Sequence, residues 1–153
     1  MTARGFWIAA LVGGVIAGVL DIVYAFVLHG MSGRSPLWVL QSVASGWMGR
    51  GAFRGGEMAG VVGIASHMGI SIAAAAVYGV AVRGSAWIRG HWIAGGIVFG
   101  ILVYLFMNFV VIPLSAAPFG PSWAMKSFIQ GFISHALLFG LPIAWVWRRM
   151  GAE

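Results

Sequence analysis

The chain has 153 residues, of which 61% are hydrophobic and only 8% charged, and its mean hydropathy is +0.96. Soluble domains carry about 25% charged residues, so a water-soluble globule is excluded: a chain this short could not hide so much apolar surface. The net charge of +6 comes from Lys and Arg scattered at the ends of apolar runs, where they meet lipid headgroups, and it forms no nucleic-acid patch.

The first apolar run, 6–28, has only Arg4 before it, is longer than a signal-peptide core, and lacks a small-x-small cleavage site. It reads as a retained first transmembrane helix. Gly14, Gly18 and Ala25 form a small-residue stripe on it, and Asp21 continues that stripe. Asp21 is the only carboxylate inside a span. A charge at membrane depth costs at least about 2.5–3.5 kcal/mol on insertion scales, so it should be paired, protonated or functional.

Residues 36–56 read PLWVLQSVASGWMGRGAFRGG. Pro36 suits the first turn of a helix. Leu37, Leu40, Val43, Ala44 and Trp47 recur at helical spacing, opposite Gln41, Ser42 and Ser45. The stretch is too short to span and predicts an interfacial amphipathic helix over about 36–49.

The second apolar run, 58–82, carries the sequence GIASH at 63–67, and the fourth, 123–147, carries GFISH at 131–135. The third run covers 92–114. Each of the four reaches the roughly 20 residues that a spanning helix needs, and a lipid-facing backbone must bond within its own segment. The expected architecture is an all-α integral membrane protein, one domain over 1–153, with four transmembrane helices in a bundle. Trp7, Trp87, Trp92, Trp145 and Trp147 fall near one set of helix ends and Trp38, Trp47 and Trp123 near the other, as interfacial belts would. Both termini lie on one side, with Arg4, Arg83, Arg89, Arg148 and Arg149 against Arg34, Arg50, Arg54 and Lys126 on the other. The positive-inside rule then places the chain N-in and C-in in a bacterial inner membrane.

Two matches suggest a duplicated hairpin. The two G-x-x-S-H sites align the second helix with the fourth, and GGVIAGVL at 13–20 aligns the first with GGIVFGIL at 95–102. Both copies begin on the same side, so the repeat axis would run along the membrane normal. His67 and His135 then lie about nine and twelve residues from the outer face, roughly 14 and 18 Å deep at 1.5 Å per residue. On the second helix Gly60, Gly63, His67, Ser71, Ala74 and Tyr78 share a face, which predicts contact with protein rather than lipid. On the fourth, Phe128, Gly131, His135, Phe139 and Pro142 do so, and Pro142 would interrupt the helix ladder. Asn108 and, one turn earlier, Tyr104 are the third helix's polar contribution, and Gln130 and Ser134 extend the polar set towards Lys126.

Three functions are compatible with these residues. One is a non-enzymatic structural or accessory subunit with a buried polar cluster centred on His67 and His135. Another is a b-type haem protein with His67 and His135 as axial ligands and Asp21, Ser66 or Ser134 fixing their tautomers. The third is a proton or metal-ion pathway through Asp21 and the histidines. An enzyme is disfavoured: there is no P-loop, no H-E-x-x-H and no nucleophile elbow, and a serine adjacent to a histidine on a helix lies about 100° away from it. The G-x-x-x-G pairs Gly14/Gly18, Gly56/Gly60 and Gly96/Gly100 could pack within the chain, against a membrane-protein partner or in a homo-oligomer. Through LDIVYAFV at 20–27, LQSVASGWMG at 40–49, the SH at 66–67 and YLFMNFVVIPLS at 104–115, the chain resembles small four-helix bacterial inner-membrane proteins. The resemblance covers nearly the whole chain and implies fold and location, with no activity or binding residue attached.

Overall fold

The computed structural model describes residues 2–120 and 124–150. It is 89% helical, with no strand among the described residues. Four helices are long and apolar enough to cross a membrane: α1 (Ala3–Gly30), α3 (Gly56–Gly84), α5 (Trp92–Leu114) and α6 (Met125–Met150). Two short helices complete the set, α2 (Pro36–Met48) and α4 (Ala86–Gly90). Trp123, expected in an aromatic belt and at the start of the fourth span, lies outside the described residues.

Local chemistry explains the ends. Thr2 caps α1, its hydroxyl accepting from the Gly5 amide at 3.1 Å, and Ser35 caps α2 through the Trp38 amide at 3.1 Å with Pro36 beside it. The chain leaves α2 through a 3-10 turn, Gly49–Arg54, entered at Gly49 with φ +57°. Arg89 donates to the carbonyls of Val82 at 2.8 Å and Arg83 at 3.0 Å, covering the end of α3.

Two of the spanning helices change pitch. A π-helical segment, Met107–Val111, lies within α5, and a second, His135–Gly140, lies within α6. Each sits directly upstream of a proline, Pro113 or Pro142. A proline offers no N–H to the carbonyl four residues back and crowds it with its ring, and a π turn is one way to absorb that mismatch.

α1 packs against α3 and α6, α5 packs against α6, and α2 lies on α3, whereas α3 and α5 have few close backbone approaches and meet mainly through Tyr78 and Phe99, with ring centroids 5.0 Å apart. Glycines permit the close approaches. A Cβ on Gly14 would collide with the backbone of Ile72, and one on Gly96 would stand 2.7 Å from Ala144 and 3.0 Å from the Gly140 carbonyl. The main core lies towards the termini, built from Ala9, Ala10, Ala75, Tyr78, Ile143 and Trp147 with their neighbours. Trp147 corrects one expectation. It does not face outward but is 2% exposed, with its indole N–H donating to the Ala75 carbonyl at 2.9 Å and its ring filling the space that Gly79 leaves open. Trp7, Trp47 and Trp87 are exposed.

α2 turns polar groups inward. Gln41 and Ser45 are buried, and Gln41 donates to the Gly56 carbonyl at 3.2 Å. Gly63 explains the proximity: a Cβ there would collide with the Leu40 carbonyl. Trp47, expected on the apolar side with Leu40, is 73% exposed. Burial of Gln41 and Ser45 is tolerable because the Gln41 amide N–H and the Ser45 hydroxyl each have a carbonyl to donate to, Gly56 and Ser42 respectively.

Candidate functional site

Asp21, His67 and His135 come from three different helices and meet. Asp21 lies about two and a half turns from the end of α1 at Gly30, and the histidines about three turns from the starts of α3 and α6. The antiparallel order therefore places all three in the half of the molecule that holds α2. The Asp21 side chain is 15% exposed. Its Oδ2 is 4.0 Å from His67 Nε2 and its Oδ1 is 3.8 Å from His135 Nδ1. The carboxylate stands between the two imidazoles.

Backbone carbonyls define the rings. His67 Nε2 lies 2.9 Å from the Gly18 carbonyl. A carbonyl only accepts, so Nε2 carries the proton and donates. Gly18 makes that carbonyl reachable, because a Cβ there would press on Ser71 and Met68 at about 3 Å. His135 Nδ1 lies 3.1 Å from the Gly131 carbonyl and is its donor by the same reasoning. Ser134 donates to that carbonyl at 3.1 Å and lies 3.4 Å from His135 Nδ1. Tyr104 packs edge-on to the His135 ring, with centroids 5.2 Å apart, and occupies the space beside Gly131. His135 also opens the π segment of α6, and such pitch changes recur at functional positions.

The remaining polar positions do not join the cluster. Asn108 sits in the π segment of α5 and donates to the Tyr104 carbonyl of its own helix at 2.9 Å. Ser66 turns towards α2: its hydroxyl donates to the Val62 carbonyl at 2.7 Å and accepts from the Trp47 indole at 3.1 Å. Gln130 is half-buried with no hydrogen bond to Asp21 or either histidine. Adjacent residues on a helix point about 100° apart, which is why Ser66 and His67 face different neighbours.

Comparison with family models, curated proteins and solved structures finds no match for this chain.

A cavity of about 710 Å³ opens where α3 and α5 fail to meet. Its walls include Ser66, His67 and Ile70 of α3, Met107 and Val110 of α5, and Val43 and Trp47 of α2. The stretch after α5 roofs it, tied down by the Ala116 amide donating to the Gly46 carbonyl at 2.9 Å. His67 thus reaches two environments, the Asp21 cluster and this largely apolar space. The cavity has no simple sequence signature, since it arises from a contact that is missing. The neighbouring prolines of α5 and α6 could have flagged the pitch changes. Among the described residues, no group of three or more His, Asp or Glu side chains is arranged to hold a metal ion.

Proposed function

We propose that this chain is a multi-pass bacterial inner-membrane protein, a single four-helix bundle with both termini cytoplasmic, and that it is a non-enzymatic structural or accessory subunit. The observation that carries the reading is the Asp21 carboxylate standing within 4.0 Å of ring nitrogens from two other helices. One acidic side chain of α1 thereby stands within ion-pairing distance of both α3 and α6 at membrane depth, a pairing that is charged when an imidazole is protonated. A buried polar residue without such partners would cost several kcal/mol in lipid.

The duplicated hairpin gains support from matched contacts. Gly14 meets Ile72 and Gly96 meets Gly140; Gly18 meets Met68 and Gly100 meets Ala136. Each pair stands at corresponding positions of the two aligned hairpins. The α1–α6 contact has no counterpart between α3 and α5, so the repeat is asymmetric where α2 is inserted. In this reading α2 lies at the outer interface with Trp47 towards lipid, and the G-x-x-x-G pairs Gly14/Gly18 and Gly96/Gly100 serve packing within the chain. A membrane-protein partner or a second copy would then dock on other faces.

The geometry supports the other two functions less. Axial haem ligation needs both histidines to aim free nitrogens at one iron across a flat ring. Here the nitrogens turned towards the shared space carry protons for Gly18 and Gly131, and the Asp21 side chain stands between them. A transmembrane proton path needs polar groups on both sides of Asp21. Towards the termini the interior is the apolar core around Ala9, Ala75, Ile143 and Trp147.

A double-mutant cycle tests the structural reading. Asp21→Asn and His135→Gln, singly and together, should each lower the thermal midpoint in detergent, with a coupling of about 0.5–2 kcal/mol, within the range of interhelical polar pairs. Zero coupling would remove the cluster's structural role. The same preparation, expressed with ample haem, should show no Soret band that sharpens with dithionite. Vesicles holding it should leak protons no faster than their Asp21→Asn counterparts.

A further inference from the structure

We propose that the cavity between α3 and α5 binds a membrane-borne alcohol, a single hydrocarbon chain whose hydroxyl donates to Nδ1 of His67. The volume of about 710 Å³ falls within the range of ligand pockets, roughly 300–1,000 Å³. Its walls are mostly aliphatic and aromatic, which suits a hydrocarbon body. It lies along the α3/α5 gap in the membrane-depth half of the fold, flanked by Phe106 and Leu114, which are 57% and 82% exposed. A lipid-dissolved molecule can therefore enter sideways.

The hydrogen-bond inventory of the walls sets the chemistry of the head. The Ser42, Ser66 and Ser115 hydroxyls already donate to the carbonyls of Val39, Val62 and Ile112 at 2.6–2.8 Å. Ser66 also accepts from Trp47, and Ser115 from the Ala117 amide. His67 spends its Nε2 proton on Gly18. In a neutral imidazole the other nitrogen, Nδ1, is then an acceptor. What the cavity offers is acceptor capacity, and no Lys or Arg lines it. A carboxylate, sulfate or phosphate head would find no cation, and the wall hydroxyls have already spent their protons. A hydroxyl supplies the proton that the walls lack.

Photolabelling in phosphatidylcholine vesicles tests this with an undecanol that carries a mid-chain diazirine. Label should concentrate on 66–70 and 106–111. Undecanol should displace it, methyl undecyl ether should compete about three- to tenfold less well, as a lost neutral hydrogen bond implies, and undecyl sulfate should not compete. Ile70→Phe narrows the cavity while keeping the Asp21 and His67 side chains, and should abolish the label while leaving the thermal midpoint nearly unchanged. His67→Ala should remove the preference for alcohol over ether. Equal competition by ether and alcohol, label spread along the lipid-facing helix surfaces, or label untouched by Ile70→Phe would each overturn the proposal. These outcomes are independent of the Asp21–His135 coupling that tests the structural role.

Discussion

Single side chains in this protein are governed by whether their protons find acceptors. Tyr78 is the informative case: it is 2% exposed, and its hydroxyl has no hydrogen-bond partner among the described residues. Removing an unsatisfied buried hydroxyl forfeits no bond. Tyr78→Phe should therefore leave the thermal midpoint unchanged or raise it, whereas Trp147→Phe should lower stability by about 1–3 kcal/mol, since it forfeits the indole's bond to the Ala75 carbonyl and leaves a void beside Gly79. Thermal melts of the two variants in one detergent decide the matter, and a large loss in Tyr78→Phe would show that the hydroxyl has a partner. At this scale the sequence was legible in part. The depths of Asp21, His67 and His135 follow from counting residues along apolar runs, and their grouping in one half of the molecule with them. The direction of Ser66, the inward turn of Trp147 and the protonated nitrogens of the two histidines depend on what each meets, and no spacing along the chain encodes that.

At the scale of the helices, small residues decide which pairs come close. α1 meets α3 through Gly14, and α5 meets α6 through Gly96, with backbone atoms of the partner where a side chain would stand. Gly14→Leu and Gly96→Leu should each cost more than about 3 kcal/mol, because neither helix can withdraw without opening its hairpin. Gly69→Ala is the control: nothing lies within 4 Å of a Cβ there, so it should be neutral or slightly stabilising. Midpoints from guarded thermal or chemical unfolding would rank the three, and a tolerant Gly96→Leu would count against equivalent hairpins. The paired G-G-x-x-x-G stretches were readable in advance, since close helix approach demands small residues at one-turn spacing. Pro142 signals the disturbed ladder of α6, but neither it nor Pro113 specifies the π segments beside them. Proline announces a disturbed ladder, but its neighbours choose between a kink and a change of pitch.

At the scale of the whole molecule, four spans and shared placement of the termini can be tested directly. A reporter fused at the C-terminus and another inserted within 116–120 should report opposite sides of the membrane, with the C-terminal one cytoplasmic. Same-side signals would overturn the helix count, and a periplasmic C-terminus the orientation. The open α3/α5 side is the other global feature. A closed ring of four helices would bury His67 wholly within the polar cluster. The gap instead leaves it bordering a cavity that α2 and the stretch after α5 wall off.

The amino-acid sequence by itself determined that four segments can cross a membrane and that three titratable groups share one half of the molecule. Span formation sums transfer free energies residue by residue, and a sum over neighbours in the chain is readable from the chain. Tertiary structure alone decided that Asp21 stands between the two imidazoles, that Gly18 and Gly131 claim their protons, and that α3 and α5 part around the cavity. Those outcomes depend on the rotation and order of helices, which are set by packing between residues far apart in sequence and have no local signature.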